Sequence, residues 1–339
     1  MRILFQLALG FFVLSTVTKA QTLTGNELLL ELADEVNKQY TDTPILNEDI
    51  HSLLVSKSGR LEAEYYYNGF TKDSLNNIKS VTKSIVGLLI GIAIDEGFIK
   101  DIEQPILSFF DDCEAEELFH EKKNIKIRDL LSMQSGIEWN NRALIKDDWW
   151  FSDSPHCFVL NNFPMDSEPG AKFSYNSAVS HLLSGIISRS SGISTKDFAT
   201  KYLFDPLEIK GFYWQTDNAG EYRGNSELYL LPRDMIKIGE MLLNEGIYKK
   251  NRVVSKSWIA QMTTYQAEGN SLMDYGFHWM LSKDDQPSFF FAGGSGGHHI
   301  FVVPSKELVV VTTGHWDNAR STLEIMQAVK LGIIEKFNF

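Results

Sequence analysis

Residues 79–94 read KSVTKSIVGLLIGIAI, a polar start followed by an apolar run. Because apolar residues would cover a helix built from this run on almost every side, the pattern predicts a helix buried in a protein core. The run is too short to cross a bilayer. Gly87 and Gly91, four residues apart, would let another backbone pack closely, and Gly97 is suited to cap the helix end. We expect the rest of the chain to be organised around this helix.

Ser80 and Lys83 are three residues apart at the start of this helix and would lie on one face. A serine hydroxyl is a weak nucleophile until a base takes its proton, and a lysine whose pKa is lowered by burial can be that base. A serine in the first helical turn also lies beside free backbone N–H groups that can bind an oxyanion. The pair alone is weak evidence, since it should occur by chance about once in a chain of this length.

The N-terminus has the features of a secretory signal peptide. Met1 and Arg2 precede an apolar run over residues 3–14, and small residues lead to Ala20. We predict a signal over residues 1–20, cleavage at Ala20, and a periplasmic or secreted protein with no membrane attachment afterwards. An uncleaved N-terminal anchor is the alternative, although the apolar part is short for one.

Composition indicates an acidic globular protein. The 339 residues are 43% hydrophobic, which allows a large core in one big domain or two lobes, and we assign residues 21–339 to a single domain. The formal net charge of −12 disfavours nucleic acid and anionic membranes as partners. The two cysteines, Cys113 and Cys157, could form a disulfide in an oxidising compartment, although two separately buried thiols fit the sequence at least as well.

We expect no metal and no organic cofactor. Neither a Cys-x-x-Cys nor a His-Glu-x-x-His pattern is present in the sequence. His298 and His299 are the best metal ligands by residue type. Neighbouring residues on a strand point to opposite faces, however, which argues against joint ligation.

Strand patterns occur at both ends of the chain, and helical patterns lie between them. Residues 51–70 predict a hairpin that turns at Ser58-Gly59. Later strands are predicted over residues 277–281, 288–291, 299–303 and 308–313, and helices over residues 125–131, 177–187, 233–244 and 321–337. This order predicts an α+β fold, in which one central antiparallel sheet from the N- and C-terminal segments is flanked by helices. A helical lobe over about residues 101–246 is inserted in it.

Three motifs occur in an order that resembles a known family. They are Ser80-Val81-Thr82-Lys83, then Phe173-Ser174-Tyr175-Asn176-Ser177, and near the end the glycine-rich strand junction Ala292-Gly293-Gly294-Ser295-Gly296-Gly297. The chain resembles the serine hydrolases of the class C β-lactamase superfamily. That superfamily also holds penicillin-binding peptidases, esterases and 6-aminohexanoate-dimer hydrolases. Three ordered motifs are far more specific than one.

The resemblance implies a role for each motif. Ser80 would be the acylated nucleophile, Lys83 its proton partner and Tyr175 the general base. Since a free tyrosine titrates near 10, Tyr175 would need a nearby cation to act at neutral pH, and Lys83 is the obvious one. The oxyanion hole would combine the N–H of Ser80 with an N–H of the strand near Gly294 or Ser295.

The sequence departs from the family pattern in two places. The second motif usually ends in asparagine, whereas Ser177 holds that position here and has a shorter reach. The third motif usually begins with lysine or histidine, whereas Phe291 or Ala292 stands there, depending on how the glycines align. Neither binds the carboxylate that β-lactams and D-alanyl peptides present, so an uncharged ester or small amide is favoured. His298 lies nearby and could partly replace the missing cation.

We therefore expect a hydrolase that cleaves a small-molecule ester, an amide or a short peptide through a Ser80 acyl-enzyme. Ser177, Gly293, Gly294 and Ser295 are the candidate substrate and oxyanion residues. One alternative is a β-lactamase or D-alanyl-D-alanine carboxypeptidase, and another is a non-catalytic sensor that binds a peptide or lactam. A thiol hydrolase that uses Cys157 and the adjacent histidine is disfavoured, because adjacent residues rarely face one another.

Overall fold

The computed structural model describes residues 50–113, 117–139, 149–283, 288–314, 325–327 and 329–334. The predicted signal peptide and residues 21–49 lie outside the described residues, as do parts of the predicted terminal helix. The division into a signal at residues 1–20 and one domain at residues 21–339 therefore stays a prediction.

Both ends of the described chain contribute strands to one sheet. In chain order the strands are β1 Ile50–Lys57, β2 Arg60–Tyr66, β3 Asn76–Asn77, β4 Tyr213–Trp214, β5 Leu228–Leu230, β6 Ile247–Tyr248, β7 Asn251–Arg252, β8 Ala267–Glu268, β9 Met273–Tyr275, β10 Met280–Ser282, β11 Phe290–Gly294, β12 His298–Val303 and β13 Leu308–Gly314. Within the described residues the main sheet has eight strands in the order β2-β1-β13-β12-β11-β10-β9-β8. Every neighbouring pair is antiparallel. The predicted α+β fold, with a sheet from both ends of the chain, is confirmed.

Helices fill the middle of the chain, as predicted. They are α1 Val81–Asp95, α2 Glu117–Glu121, α3 Ile127–Leu131, α4 Pro155–Asn162, α5 Ser177–Ser191, α6 Thr195–Ala199, α7 Pro232–Leu243 and α8 Lys256–Met262. Short 3₁₀ turns occur at Ile106–Phe109, Lys122–Asn124 and Pro304–Lys306, and π-helical turns at Thr200–Phe204 and Lys330–Ile334. None of the helices that the structure describes is long and apolar enough to cross a membrane.

The strands are apolar on both faces because both faces of the sheet are covered. Leu54 and Val309 belong to the large core that the sheet shares with the helices. Leu53 and Val310 point the other way, into a second core that includes Ile325 and other C-terminal residues. This alternation with period two explains the nearly continuous apolar runs in β1, β12 and β13.

Helix α1 is buried along almost its whole length, as its sequence predicts. A Cβ on Gly87 would lie 3.1 Å from the carbonyl oxygen of Phe277, so this glycine does permit a close backbone approach. Gly91 instead makes room for a side chain, since a Cβ there would fall 2.1 Å from the indole ring of Trp258. That indole donates a hydrogen bond to the Gly87 carbonyl at 3.2 Å. Both contacts fix α1 in the core.

The predicted strand over residues 277–281 is wrong in its first half. The structure has β9 at Met273–Tyr275 and β10 at Met280–Ser282, with a turn between them in which His278 has a φ of 58°. The backbone N–H and ring Nδ1 of His278 both bond to the carbonyl of Leu131, at 2.9 Å each. Because these bonds take the chain out of the sheet, the apolar run of residues 277–281 is divided between a turn and a strand.

The two cysteines are joined in a disulfide between Cys113 and Cys157. We expect this bond to contribute about 2–4 kcal/mol to the free energy of unfolding, because it closes a loop of 44 residues in the unfolded chain. Urea unfolding of wild type and of the double variant Cys113→Ser, Cys157→Ser would measure the difference. Adding a reductant should bring wild type to the value of the variant. Equal midpoints under oxidising conditions would contradict this expectation.

Candidate active site

Ser80 forms the N-cap of α1, and the side chain of Lys83 lies directly behind it. Lys83 is only 2% exposed, and its Nζ donates to Ser80 Oγ at 3.0 Å. A second hydrogen bond from Nζ reaches the backbone carbonyl of Asn225 at 2.8 Å. The preceding residue, Lys79, has a φ of 50°, a left-handed conformation that is uncommon for residues other than glycine. The structure thus brings the predicted serine and lysine into direct contact at a strained turn.

Burial dominates the ionisation of Lys83. It lowers the pKa of this amine from 10.5 to about 7, because the charged form loses its solvation. At pH 7 about half of the molecules would then carry a neutral amine, against about one in 2,500 for a free lysine. A neutral amine beside Ser80 Oγ can accept the hydroxyl proton, which an ammonium group cannot do.

We expect acylation of Ser80 to increase with pH through a midpoint near 7. Raising the pH deprotonates Lys83, and only the neutral amine can take the serine proton. The measurement is the burst of p-nitrophenol from p-nitrophenyl acetate between about pH 5 and 9, after subtraction of the rate with Ser80→Ala. A flat profile, or a midpoint near the pKa of free lysine, would contradict the expectation.

Tyr175 lies on the other side of the lysine, with Lys83 Nζ 5.1 Å from the centre of its ring. Burial raises the pKa of Tyr175 above its usual value near 10, and a hydrogen bond with the Ser80 side chain offsets this only in part. The expected lowering of this pKa by Lys83 is therefore not found, because the loss of solvation on burial outweighs the other influences on the phenol. The residue as a whole is nevertheless 37% exposed, so a bound substrate can reach the side chain even though its hydroxyl is poorly solvated. Its protonated hydroxyl is suited to donate a proton, and Lys83 to accept one.

The two residues after Tyr175 begin helix α5. Asn176 is buried, and its Oδ1 accepts a hydrogen bond from the N–H of Ala178 at 2.8 Å, which caps the helix. Ser177 is the first residue of α5 and is half-buried. Asn176 therefore caps α5. The candidate substrate position, two residues after Tyr175, is held by Ser177, whose side chain is shorter than the asparagine usual in the family.

Gly294, at the end of β11, packs against the backbone of the nucleophile. A Cβ on Gly294 would lie 2.5 Å from the carbonyl oxygen of Ile78 and 3.2 Å from the backbone nitrogen of Ser80. No L-residue with a side chain fits at that distance without moving the backbone. The strand therefore approaches the Ser80 amide closely enough for both to border one oxyanion position.

The rest of the glycine-rich motif surrounds this contact. Gly293 is buried, and a Cβ there would make an ordinary 3.4 Å contact with the flexible Met280 side chain. Ser295 is exposed at the turn into β12, where Gly296 and Gly297 have φ values of 88° and 87°. The two oxyanion candidates differ accordingly, since Gly294 is packed against the serine and Ser295 is at the open end of the strand.

The pleat of β11 favours Ala292 over Phe291 as the residue that stands in place of the usual cation. Phe290 and Ala292 pack into the core on the helix side of the sheet, whereas Phe291 packs into the outer core. Gly294 shares a face with Ala292, so the uncharged Ala292 is the residue at that place. His298, which pairs with Gly294, is 2% exposed, and its burial, together with the neighbouring His299, His51 and Lys79, lowers its pKa to about 3. His298 is therefore neutral and supplies no cation.

His181 and Asp217 form a buried pair that supports the backbone contacted by Lys83, and sequence analysis did not find them. The N–H of Gly224 donates to Nδ1 of His181 at 3.3 Å, so Nε2 carries the proton and bonds to Asp217 Oδ2 at 2.9 Å. The pair holds the backbone next to Asn225, whose carbonyl accepts from Lys83. A carbonyl acceptor has no side-chain signature, and a histidine in an apolar helix resembles an ordinary core residue.

The structure also bears on the thiol and metal alternatives. Cys157 is bonded to Cys113 and has no free thiol, which overturns the thiol-hydrolase alternative. His156 stacks on the ring of His181, with centroids 4.2 Å apart, and its Nε2 bonds to the His181 carbonyl at 3.0 Å. Within the parts of the chain that the structure describes, no cluster of three or more His, Cys, Asp or Glu residues is placed to hold a metal ion.

An antiparallel sheet covered by helices, with a serine–lysine pair on the first buried helix and a tyrosine opposite, is the arrangement of β-lactamase-fold hydrolases. The sequence profile described as Beta-lactamase matches residues 51–324. The chain belongs to the beta-lactamase family.

Individual relatives agree with this assignment. The chain is 26% identical over 241 residues to a 6-aminohexanoate-dimer hydrolase of Paenarthrobacter ureafaciens, a match that covers 67% of this chain and 60% of that protein. The octameric penicillin-binding protein homologue of Pyrococcus abyssi superposes with a TM-score of 0.70 at 18% identity, covering 91% of this chain and 78% of that one. EstCE1, a hydrolase with promiscuous acyltransferase activity, superposes with a TM-score of 0.69 at 16% identity, covering 90% and 99%. At these identities the two structures show a shared fold.

Proposed function

We propose that the protein is an exported serine hydrolase that cleaves an uncharged ester or small amide through an acyl-enzyme on Ser80. The observation that carries this proposal is the 3.0 Å contact between Lys83 Nζ and Ser80 Oγ, together with the pKa of Lys83 near 7. A buried lysine at this distance is a base ready to activate the serine. A binding protein would have no need of it.

Each step of the proposed reaction uses a group already placed at the site. Lys83 takes the hydroxyl proton as Ser80 Oγ attacks the substrate carbonyl, and the oxyanion forms beside the Ser80 amide and the end of β11. Tyr175 donates its proton to the leaving group and regains one from Lys83. Water then attacks the acyl carbonyl, and Lys83 accepts the water proton. The bond between the acyl carbon and Ser80 Oγ breaks, Lys83 returns the proton to Oγ, and the acid is released.

The proposed preference for an uncharged acyl group rests on the lack of a cation at β11. Ala292 stands where a cation would bind a substrate carboxylate, and His298 is neutral. A relative named as a 6-aminohexanoate-dimer hydrolase and a fold neighbour with acyltransferase activity are compatible with small amides and with an acyl-enzyme. Export is supported by the charged and apolar start of the chain and by the Cys113–Cys157 disulfide, which is typical of oxidising compartments.

We expect one covalent adduct when the mature protein reacts with a fluorophosphonate, and none with Ser80→Ala. The adduct requires an activated serine, and intact-protein mass spectrometry detects it directly. Ser84→Ala is a matched control, because Ser84 lies one turn further along α1 and donates instead to the His278 carbonyl at 2.6 Å. This control should label like wild type. Folded wild type that stays unlabelled would overturn the proposal and favour the non-catalytic sensor.

A β-lactamase or D-alanyl-D-alanine carboxypeptidase is the second candidate, favoured by the family match over residues 51–324. The labelled protein would be assayed with p-nitrophenyl esters, small amides, nitrocefin and a D-alanyl-D-alanine peptide under the same conditions. Faster turnover of nitrocefin or of the peptide than of every ester and amide would replace the ester or amide assignment by this one.

A further inference from the structure

Helix α5 holds the chain just before the carbonyl that accepts from the buried lysine of the site. The Ser184 hydroxyl donates to the Tyr222 carbonyl at 2.7 Å. Nδ1 of His181 accepts a hydrogen bond from the Gly224 N–H at 3.3 Å. Gly224 also lies against the helix backbone, since a Cβ there would fall 2.2 Å from the carbonyl oxygen of Ser180. Three contacts with one helix therefore fix the backbone immediately before that carbonyl.

Asp217 fixes which ring nitrogen of His181 can accept a hydrogen bond. Its Oδ2 lies 2.9 Å from Nε2 of His181, and its Oδ1 accepts from the Glu221 N–H at 2.9 Å. With the ring proton on Nε2, both neighbours donate to the carboxylate, and Nδ1 is left to accept from the Gly224 N–H. Burial would raise the pKa of Asp217, but its hydrogen bonds hold this pKa below the usual value, so the carboxylate is ionised.

The carboxylate of Asp217 is suited to this place because both of its neighbours are donors. Asp217→Asn would replace one oxygen by an NH₂ group, which would face either the Glu221 N–H or Nε2 of His181. In the second case the ring proton would move to Nδ1, where it would face the Gly224 N–H. The side chains of His181 and Asp217 are 1% and 0% exposed, so bulk water does not relieve such a mismatch.

The carbonyl of Asn225 orients the amine of Lys83. A neutral amine has two N–H bonds and one lone pair. Because a carbonyl can only accept, it takes one N–H at 2.8 Å, which leaves the lone pair free to face Ser80 Oγ at 3.0 Å. The charged ammonium gains more from this carbonyl than the neutral amine does, since hydrogen bonds to charged groups are stronger. Loss of the acceptor should therefore misdirect the amine and lower the pKa of Lys83 further.

We propose that Asp217 and His181 are positioning residues that orient the amine of Lys83 for proton transfer from Ser80. Asp217 sets the ring tautomer, the ring holds the backbone at Gly224, and the next residue presents its carbonyl to the amine. Both residues act through the backbone and not by contact with the reacting atoms. This role rests on the proposed function, in which Lys83 is the base.

The titratable groups that face Lys83 among the described residues keep one form while this lysine titrates. Burial raises the pKa of Tyr175, at the start of α5, to about 12. Burial, together with the charge of Lys83, lowers the pKa of His278, in the turn before β10, to about 3. Neither group changes its charge near pH 7.

The charged groups around the histidine and aspartate are likewise constant. Burial lowers the pKa of His156, which stacks on His181, well below its usual value. Arg223 interacts with the charge of Asp217, and Arg189 with the ring of His156. Both guanidinium groups keep their charge at neutral pH. A change in the titration of the lysine in a variant of the pair therefore has its cause in the altered contact.

The test measures the pKa of Lys83 from the ¹³C resonance of its ε-carbon in lysine-labelled protein, assigned by its absence from Lys83→Met. Asp217→Asn and His181→Gln should each lower this pKa by at least about half a pH unit. Each should also slow the maximal burst with p-nitrophenyl acetate at least about tenfold, with KM within about threefold of wild type. His181→Gln keeps the carboxylate and a donor to it, but it offers the Gly224 N–H no acceptor. A shift in this variant cannot come from a lost charge.

His181→Asn is the conservative variant, because its Oδ1 can replace Nδ1 as the acceptor for the Gly224 N–H. It should recover most of the burst and of the pKa that His181→Gln loses. General loosening of the site would instead let water reach Lys83 and raise its pKa towards 10.5. An unchanged or raised pKa in both folded variants, or equal losses in His181→Asn and His181→Gln, would overturn the proposal. If wild type shows no burst, the hydrolase proposal fails, whereas the resonance still decides whether the pair acts on the amine.

Discussion

Replacing Lys83 with methionine should slow acylation of Ser80 at least about 1,000-fold. The variant keeps a long side chain in the same buried space. It lacks the nitrogen that in wild type lies 3.0 Å from Ser80 Oγ and can accept its proton. Removing a buried amine also removes its desolvation cost, so the protein should remain folded and at least as stable. The measurement is the pre-steady-state burst with p-nitrophenyl acetate.

Lys122→Met is the matched control for this loss. Lys122 is also fully buried, with a pKa lowered to about 8 by burial, but it lies in the 3₁₀ turn Lys122–Asn124, away from Ser80. Acylation by folded Lys122→Met should stay within about threefold of wild type. If Lys83→Met retained most of the wild-type burst, another group would have to be the base and the proposed mechanism would fail.

Replacing Gly294 with alanine should reduce kcat/KM by about 100-fold, the effect expected when reacting groups are displaced by about 1 Å. The new Cβ would come 2.5 Å from the Ile78 carbonyl oxygen, a rigid backbone atom, so β11 must move away from the Ser80 amide. The oxyanion position lies between these two segments and would widen. Steady-state hydrolysis of the best ester found in the screen, by wild type and by the variant, measures this change in kcat/KM.

The adjacent glycine provides the comparison. Gly293→Ala would bring a Cβ only to 3.4 Å from the Met280 side chain, which can rotate. Its kcat/KM should therefore change by less than about fivefold. Equal losses in the two variants would mean that the strand tolerates no change at all, and the specific role given to Gly294 would be wrong.

The sequence carries strong signals for the fold. The turn at Ser58-Gly59 has positive φ at both residues, as a tight two-residue hairpin requires. Strand β1 ends just before it and β2 begins just after it. The apolar run of α1 is long and uniform, and it is buried in the core as expected. Strand patterns at both ends of the chain identified one sheet, because short apolar runs bounded by turn residues are typical of strands that are buried on both faces.

The site was less accessible to sequence reasoning, for reasons that are physical. The motifs located Ser80, Lys83 and Tyr175, but the ionisation of Lys83 and Tyr175 depends on burial that only packing defines. The support of Lys83 by Asn225 is a backbone contact, which leaves no trace in residue type. The pairing of the two cysteines and the turn at His278 likewise depend on contacts between distant segments.

The pairing of β1 with β13 has a consequence for biosynthesis. Ser52 on β1 bonds through its hydroxyl to Thr313 on β13, 261 residues later, at 2.7 Å. The hairpin of β1 and β2 therefore has no partner strand in the main sheet until β13 has been made, and isolated hairpins are marginally stable in water. A nascent chain that lacks β13 cannot join this hairpin to the other strands of the main sheet, so we expect the sheet to close only late in translation.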